Sequence, residues 1–498
     1  MPSPRSWKPK ISGRGFQEDY DVVKNPFYDY IDEVTEVVAK TRNSQEKCLV
    51  ILKQLSPNDN TDSSLFQALV SQLMDCGPLG RSAISFLEES FGKCWSSEPQ
   101  PICITHLQRL KELVMDIKIY PGHLGDYADG PTPSLERGMV AHAKESGYAS
   151  TKGLMELKQQ VCLTYKQLFG LNISHNNVWV SPGESFAMWL GLQSMIKPGQ
   201  KVGYLRPLYP KNLDWIKDAG GIAAPFDIGY PAKFDKMSLR VYFESEQPAV
   251  MIWTDPHNPT GFCLSDEDQR DLLSLSAEFG VRILVDAAYE FVRYGNRDEY
   301  GQIPSMLRYA DYCDSKLAGQ IVHAMTLGKG WRGNGYRIAV IVGEEGLIQN
   351  ISSKSGSIIG SVATPMQYAA VEALKCLDDT FCNTELLRQK RDIIAKKLQN
   401  THLEFELPIA TFYYFFCVSK VLTFTHMETS DEFCKVCMTE TGIAMIPGSF
   451  YGFNTGVRLS FAALTMEDIN NSMKKLRKWL DRLMDDWPTT KSKSTALF

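Results

Sequence analysis

The segment TLGKGWRGNGYRIAVIVG, residues 326–343, contains the residues that decide the fold of this chain. It follows an apolar run, places Lys329 inside a cluster of glycines, and carries Arg337 beside the next apolar run. A guanidinium at such a position indicates anion binding, because arginine is seldom placed among apolar residues without a partner. A desolvated lysine near a fixed positive charge has a lowered pKa, so more of it is the neutral amine that attacks a carbonyl. The pair predicts a nucleophilic amine beside an anion clamp.

The same segment contains GKGWRG, which matches the GxGxxG pattern of dinucleotide-binding proteins. That pattern is informative only in the first strand-to-helix turn of its unit, with an acidic residue about 20 positions further on. Here it leads into YRIAVIVG, a second strand pattern, and no acidic residue ends a strand at that distance. The sequence therefore does not favour a dinucleotide site.

Outward from this segment, short apolar runs alternate with amphipathic helical stretches from Asn177 onward. The runs are NVWV, KVGYL, AVMIW, VRILVD, QIVHAMTL and YRIAVIVG. Such alternation is typical of βαβ units and predicts an α/β domain with a mostly parallel sheet covered by helices. After SVATPMQYAAVEAL the pattern changes to long charged helices with the strand-like FYYFF and GIAMIP between them, which predicts a smaller α+β unit.

These patterns divide the chain into four parts. Residues 1–112 carry apolar residues at helical spacing and are predicted to form a helical N-terminal extension. Residues 113–365 form the large domain, although 113–140 are expected to contribute to the small one. Residues 366–485 form the small C-terminal domain. Residues 486–498 are predicted to be a flexible tail, because the stretch PTTKSKSTALF is polar and rich in Ser and Thr.

Composition excludes several classes of protein. With 498 residues, 44% of them hydrophobic, and a net charge of −5, the chain has material for a large core and no basic excess for nucleic acid. No stretch of 18 apolar residues predicts a membrane span, and no apolar core follows the basic MPSPRSWKPK, so we expect a cytoplasmic protein. Twelve scattered cysteines favour reduced thiols.

The one CxxC pair, Cys434 and Cys437, lies in the helical pattern SDEFCKVCMTET, predicted to be capped by Ser430. Two thiols one helical turn apart are more often core residues than a redox or zinc site, and no second CxxC completes a metal cage. We therefore predict no metal site.

Several further segments occur in an order that resembles a known family: GYASTKGLMELKQQV, SPGESFAMWLGL, LRPLYPKNL, DPHNPTG, ILVDAAYEF, the lysine segment and PGSFYGFNTGVRLSFA. Together they resemble the class I and II aminotransferases, the fold type I enzymes related to aspartate aminotransferase, over residues 113–485. The resemblance implies pyridoxal 5'-phosphate as cofactor, attached to Lys329 as a Schiff base. It also implies a homodimer with shared active sites.

The resemblance assigns the remaining site residues to the cofactor phosphate, the cofactor ring and the substrate. Gly183, Glu184 and Ser185, between a strand and a helix, are expected at the cofactor phosphate, since helix N-termini bind anions. Thr326 and Arg337 complete those contacts within the subunit, and Tyr148 is expected to reach the phosphate of the neighbouring subunit.

Around the ring, the resemblance places Tyr209 on the pyridine face and the amide of Asn258 beside the ring oxygen. Tyr289 is expected to donate a hydrogen bond to that oxygen. Asp286, at a strand end, is the expected partner of the ring nitrogen, because a buried carboxylate needs one. Arg458 corresponds to the arginine that binds the substrate α-carboxylate, and Lys329 to the base that moves the Cα proton.

Two departures bear on the substrate. Where many members of that family carry a Gly-Gly or Gly-Ala pair before the aromatic of the small-domain strand, this chain has Ala410 and Thr411, and we expect these larger side chains to narrow the substrate side of the pocket. No second arginine for a dicarboxylate is evident, so aspartate and glutamate are not favoured. The predicted activity is transfer of an α-amino group from an amino acid to a 2-oxo acid.

Other functions stay open on the sequence alone. Decarboxylation, β- or γ-elimination and a cyclising synthase reaction use the same cofactor contacts. A transcription regulator with an aminotransferase-like domain is a remote alternative, because residues 1–112 hold 13 Lys+Arg against 15 Asp+Glu, and a DNA-reading module is usually basic.

Overall fold

The computed structural model describes residues 26–55, 63–91, 104–295, 305–308 and 321–484. The chain divides into two compact units, with the division between Ile119 and Tyr120. The tail predicted for residues 486–498 lies outside the described residues. Among the helices that the structure describes, none is long and apolar enough to cross a membrane.

The first unit is helical, as the spacing of its apolar residues predicts. Its helices are α1 (Pro26–Gln54), α2 (Ser63–Asp75), α3 (Arg81–Phe91) and α4 (Ile104–Met115). Each contributes to one apolar cluster, with Leu52, Leu69, Leu87 and Leu110 as fully buried members. The side chain of Gln45 also donates from Nε2 to the carbonyl of Val114 over 2.9 Å, which joins α1 to α4. This unit therefore has a core of its own.

The second unit contains a seven-stranded sheet with helices on both faces. Its strands are β1 (Val178–Ser181), β2 (Lys201–Arg206), β3 (Ile222–Asp227), β4 (Val250–Thr254), β5 (Arg282–Asp286), β6 (Ile321–Thr326) and β7 (Ala339–Val342). The helices up to β7 are α5 (Pro133–Ala141), α6 (Met155–Phe169), α7 (Glu184–Met195), α8 (Lys211–Asp218), α9 (Lys236–Glu246), α10 (Asp266–Phe279) and the single turn α11 (Leu327–Gly330). The strand order is β1-β7-β6-β5-β4-β2-β3, and all pairings are parallel except the two made by β7.

The two faces of the sheet belong to different apolar clusters because successive strand residues point to opposite sides. On β4, Met251 and Trp253 join the cluster that contains residues of α6, α9 and α10. Val250 and Ile252 join the cluster that contains residues of α7 and α8. Strands buried on both faces explain why these runs are continuously apolar in the sequence.

The sequence patterns missed one strand of this sheet. All six apolar runs named above became strands, but β3, with the sequence IAAPFD, was not predicted. It lies at the sheet edge, only two of its six residues are buried, and its sequence contains Pro225. An edge strand has one solvated side and tolerates proline, so its pattern is weak.

A smaller antiparallel sheet follows, in the order β8-β10-β9. Its strands are β8 (Tyr413–Cys417), β9 (Ile446–Pro447) and β10 (Gly456–Ser460). The helices that follow β7 are α12 (Glu345–Ile358), α13 (Thr364–Lys375), α14 (Leu377–Leu398), α15 (Ser419–Thr425), α16 (Ser430–Thr441) and α17 (Met466–Met484). Tyr120 bridges to Ile443, so the beginning of the second unit also lies on this part of the fold.

The CxxC pair lies in this part of the chain, on α16. Cys434 and Cys437 are free thiols buried in the apolar cluster of the small sheet, as predicted for core residues. The predicted cap was wrong: Thr429 caps α16 by accepting a hydrogen bond from the amide of Glu432, and Ser430 is the first helical residue. Thr429 precedes the helix in an extended conformation, which lets its hydroxyl face the exposed amides.

A buried group of charged side chains lies beside β4 and β5. The Nη2 atom of Arg293 is 3.3 Å from Asp255 and 3.1 Å from Glu290. His323 lies 4.0 Å from Glu290, and Tyr165 is hydrogen-bonded to its ring over 3.0 Å. Burial raises the pKa of Glu290 to about 7, while Arg293 opposes that rise. Arg293 is therefore the cation that keeps two buried carboxyl groups compensated.

We expect Arg293→Ala to destabilise the second unit by about 3–5 kcal/mol, because it leaves Asp255 and Glu290 buried without a cation. Thermal unfolding followed by circular dichroism measures the loss. The loss should be larger at pH 8 than at pH 5. In the folded variant the two carboxyl groups keep a raised pKa, so at pH 5 they are protonated and uncharged. As the pH rises through the folded pKa they become buried charges without a partner, and the stability is lost. Arg240→Ala, which removes an exposed ion pair with Glu278, is the control and should leave the unfolding temperature unchanged. Equal effects of the two variants would contradict this account.

Candidate active site

The candidate residues lie at one edge of the large sheet. Asp286 ends β5, Asn258 follows β4, and Lys329 follows β6. Because β4, β5 and β6 are parallel, their carboxyl ends meet at the same edge, where ligands bind in open α/β sheets. Ser181 of β1 is registered on Ala339 and Ala339 on Thr326, so the turn after β1 reaches the same edge.

Lys329 is half-buried in the turn α11, with its amine among aromatic rings. Its Nζ atom donates a hydrogen bond of 2.7 Å to the carbonyl of Gly125. It lies 5.4 Å from the ring centre of Phe412 and 5.8 Å from that of Tyr289. The pKa of Lys329 is lowered to about 8: burial is the largest cause, Asp126 and Glu184 oppose it, and the cations Arg458 and Arg337 add to it. The amine is therefore far more nucleophilic near neutral pH than an exposed lysine.

Short contacts fix the turn that carries Lys329. The hydroxyl of Tyr127 donates to the carbonyl of Lys329, and Asn383 donates to the carbonyl of Gly330 over 2.9 Å. Thr326, expected at a phosphate, accepts from the amide of Gly328 and donates to the carbonyl of Ile338, both over 3.0 Å. In this structure the Thr326 hydroxyl thus caps the turn.

The turn between β1 and α7 forms a cationic pocket. A Cβ atom at Gly183 would stand only 2.2 Å from Nη2 of Arg337, so the guanidinium lies directly against this turn. Gly183 also has φ +89°, which favours glycine. Lys211, at the start of α8, places Nζ 3.3 Å from the hydroxyl of Ser185. Burial and Arg337 both lower the pKa of Lys211. Two cations, a hydroxyl and a helix N-terminus suit a dianion such as a phosphate monoester.

Two carboxyl groups meet at the end of β5. Asp286 is buried, accepts from the amide of Ala288 over 3.3 Å and lies 3.5 Å from the hydroxyl of Thr254. Glu184 is hydrogen-bonded to it, and burial raises the pKa of both groups. One oxygen of Glu184 is buried and, among the described residues, has no hydrogen-bond partner. The pair therefore has capacity for a basic or protonated nitrogen.

Arg458, on β10, is almost fully buried and faces the same cleft. Its Nη1 atom donates to Asn258 and its Nη2 atom to the carbonyl of His123, each over 3.1 Å. The guanidinium stacks 4.1 Å from the ring centre of Tyr413. Its Nε atom is buried and has no hydrogen-bond partner in the part of the chain that the structure describes. Such a fixed fork with an open donor suits a carboxylate.

Two tyrosines connect these groups. The hydroxyls of Tyr289 and Tyr413 are 2.7 Å apart, and both rings are buried. Tyr209 is half-buried. As a phenolate it would raise the pKa of both Tyr289 and Arg458, so it lies within electrostatic reach of both side chains. Burial is the main cause that raises the pKa of Tyr289.

The residues of this cleft fit pyridoxal phosphate. The cationic turn suits its phosphate, the carboxyl pair with an open oxygen suits its ring nitrogen, and the nucleophilic amine suits its aldehyde. Eleven of the twelve predicted residues lie on segments that meet at this sheet edge. They are Gly183, Glu184, Ser185, Tyr209, Asn258, Asp286, Tyr289, Thr326, Lys329, Arg337 and Arg458.

Tyr148 is the exception. It lies between α5 and α6 with its side chain fully exposed, and it takes no part in the cleft of its own chain.

Sequence patterns missed several residues of the cleft. Lys211, Gly125, Phe412 and Tyr413 all contact or surround predicted residues. Tyr413 sits in the apolar strand FYYFF, where a core role is the ordinary expectation, and Gly125 acts through its backbone. Only Lys211, which lies inside the segment LRPLYPKNL two residues after Tyr209, carried a usable signal.

Comparisons with known proteins agree with this geometry. The family described as aminotransferase class I and II matches residues 125–476. An aspartate aminotransferase from Sulfurisphaera tokodaii is 23% identical over 349 residues, covering 68% of this chain and 84% of the relative. A solved aspartate aminotransferase from Thermotoga maritima superposes with a TM-score of 0.65 at 20% identity, over 75% of this chain and 95% of its own.

A solved Escherichia coli protein, described as having a methionine aminotransferase function, has a TM-score of 0.65 at 22% identity, over 72% of this chain and 92% of its own. The family match spans more than half of the chain and includes the cleft described above. The chain therefore belongs to the aminotransferase class I and II family and is a transferase that depends on pyridoxal 5'-phosphate.

Proposed function

We propose that this enzyme moves the α-amino group of an amino acid to a 2-oxo acid, with Lys329 as the residue that holds the cofactor. The observation that carries this proposal is the pairing of two groups in one cleft. Lys329 presents an amine of lowered pKa, and Arg458 presents a buried guanidinium with an open donor. One group suits the cofactor aldehyde and the other suits the carboxylate of an amino acid.

The cofactor would be held by three groups of residues. Its phosphate would be bound by the turn Gly183–Ser185, Arg337 and Lys211, and its ring nitrogen would be met by Asp286 with Glu184. When bound, pyridoxal phosphate supplies an electron sink for the negative charge that forms at the substrate's Cα. Tyr209, Asn258 and Tyr289 surround the remaining ring atoms.

This chain's own residues then position the substrate and move a proton. Arg458 fixes the carboxylate by two-point contact, so that the Cα–H bond has one orientation in the cleft. The neutral amine of Lys329 takes that proton at Nζ and returns it, which its pKa of about 8 permits near neutral pH. The carbonyl of Gly125 holds Nζ in place when it carries the proton.

The surroundings of the amine favour substrates with neutral side chains. Phe412 and Tyr289 face Lys329, and Tyr127 lies beside it. Arg458 is committed to the α-carboxylate, and the sequence offers no obvious second arginine for a side-chain carboxylate. The methionine aminotransferase function ascribed to the Escherichia coli relative is consistent with a neutral side chain.

We further propose a homodimer in which Tyr148 reaches the cofactor phosphate of the partner subunit. Family membership supports the homodimer, and the complete exposure of Tyr148 in the single chain leaves its side chain available to a partner subunit. The free cysteines of the described residues support a reducing compartment, and we propose the cytoplasm.

Product analysis tests the proposed reaction. The purified enzyme, given pyridoxal phosphate, a 2-oxo acid and a panel of amino acids, should form the oxo acid of the donor and the amino acid of the acceptor. Lys329→Ala should lose both products and the visible band of the bound cofactor, because no amine replaces Nζ. Other products would instead identify one of the other reactions of this cofactor: an amine together with carbon dioxide for decarboxylation, free ammonia for elimination, and a cyclic product for a synthase.

Attachment can be tested independently of turnover. Borohydride treatment of the loaded enzyme, followed by peptide mass spectrometry, should place the cofactor on Lys329. Recovery of the label on Lys211, the other lysine of the cleft with a lowered pKa, would contradict the assignment.

The rate of cofactor capture should follow the ionisation of Lys329. With a pKa of about 8, the neutral fraction rises about tenfold between pH 7 and pH 9 and then levels off. An ordinary lysine would gain about 100-fold over the same range without levelling. Stopped-flow absorbance after mixing cofactor-free enzyme with pyridoxal phosphate measures the profile, and continued growth beyond pH 9 would contradict a lowered pKa.

Arg458→Lys should lower kcat/KM for amino acids by about 100-fold, because lysine keeps the charge but loses the two-point contact. Steady-state kinetics measures the change. An amine that lacks the carboxylate is the internal control, since its slow reaction should not depend on the fork. An equal loss for that amine would assign Arg458 to folding of the site instead.

A further inference from the structure

Tyr413 occupies a position between the predicted carboxylate site and the predicted cofactor site. It is the first residue of β8 and is registered on Ser460 of β10. Phe415 is registered on Arg458, two residues away on each strand. Residues two apart on a strand point to the same face, so Tyr413 and Arg458 are diagonal neighbours on one face of the small sheet.

Contacts on both sides of Tyr413 are close. The guanidinium of Arg458 lies 4.1 Å from its ring centre, well within the range of a cation–π contact. Its hydroxyl is 2.7 Å from the hydroxyl of Tyr289, and the two rings meet at 75°. Tyr413 and Tyr289 are only 2% and 4% exposed, so this hydrogen bond is shielded from water.

The Tyr413 hydroxyl also shapes the site of the Lys329 amine. A Cβ atom at Gly125 would stand 2.6 Å from that hydroxyl and 3.9 Å from Nζ of Lys329. A side chain therefore does not fit at Gly125, and its carbonyl is free to approach the amine. The hydroxyl thus lies near both Tyr289 and Lys329.

We propose that Tyr413 is a positioning residue of this enzyme, which orients the Tyr289 hydroxyl and transmits the occupation of Arg458 to it. This inference rests on the proposed function, since it concerns the same cofactor and carboxylate sites. With Arg458 unpaired, the cation over the ring polarises the Tyr413 hydroxyl and strengthens its hydrogen bond to Tyr289. A carboxylate on Arg458 neutralises that cation and weakens the hydrogen bond.

The proton balance of the cleft involves a defined set of groups. The charged and titratable side chains that interact electrostatically with the two tyrosines or Lys329 include Arg458, Arg337, Asp126, Asp286, Glu184, Tyr127, Tyr209 and Tyr451. Tyr289 and Tyr413 are in direct hydroxyl-to-hydroxyl contact. Loss of one hydroxyl therefore changes one hydrogen bond and leaves the charges in place.

The test is a spectroscopic titration of the loaded enzyme with Tyr413→Phe. A hydrogen bond donated toward the cofactor's ring oxygen stabilises its anionic form and lowers the pH midpoint of the visible band. In the proposed arrangement the Tyr413 hydroxyl donates to Tyr289 while Tyr289 donates to the ring oxygen. Removing the Tyr413 hydroxyl should therefore raise that midpoint by up to about one pH unit, the size of one ordinary hydrogen bond. A simple monocarboxylate bound at Arg458 should then shift the midpoint less in Tyr413→Phe than in the unaltered enzyme.

Tyr414→Phe is the matched control. It removes the same atom from the next residue of the same strand, but Tyr414 points to the opposite face and donates to the carbonyl of Arg391 over 2.8 Å. Its midpoint and carboxylate response should equal those of the unaltered enzyme. Equal shifts in both variants would show a general effect on the strand and overturn the proposal.

A double-variant cycle separates action through Tyr289 from a purely structural role. In a Tyr289→Phe background, Tyr413→Phe should add no further shift of the midpoint, because its acceptor is gone. Additive shifts, or no shift from Tyr413→Phe alone, would overturn the proposal. If the unaltered enzyme shows no visible band at all, it is the proposed attachment at Lys329 that fails, so the two failures are distinguishable.

Discussion

A buried amine with a lowered pKa is the constraint on which this site depends. Lys329 needs a lowered pKa to act as nucleophile and base. Burial is the main cause of it, and Arg458 and Arg337 also lower it, while Asp126 and Glu184 raise it. The same cations serve a second purpose, because each lies where an anionic group of the cofactor or substrate is expected. The electrostatics that activate the amine and those that bind the ligands are therefore one arrangement.

The two sheets divide this work. The large sheet brings the ends of β1, β4, β5 and β6 to one edge and so places the amine, the carboxyl pair and the cationic turn. The small sheet carries Arg458 on β10 and Tyr413 on β8, and delivers them to the same cleft. In the proposed mechanism, the residues that hold the cofactor therefore lie on one sheet and the arginine for the substrate carboxylate on the other.

Two buried groups of charged side chains in this unit differ in how their charge is compensated. Arg293 contacts both Asp255 and Glu290, so that group contains its own cation. Glu184 and Asp286 instead face each other, and among the described residues neither forms an ion pair within 4.0 Å. The first group therefore stabilises the fold by itself, whereas the second has capacity for a cationic partner.

The sequence by itself determined the α/β class, most strands and the residues whose chemistry is unusual for their surroundings, such as Lys329 and Asp286. Arg458 was predicted only from the resemblance of its segment to the aminotransferase family. Apolar runs and charged residues at strand ends are local signals, so they can be recognised in the sequence alone. Only the tertiary structure decided that Tyr413 joins Tyr289 to Arg458, that Lys211 faces Ser185, and that Gly125 accepts from the amine. These contacts join residues that are distant in the chain or use backbone atoms. Neither kind of contact produces a recognisable pattern in the local sequence.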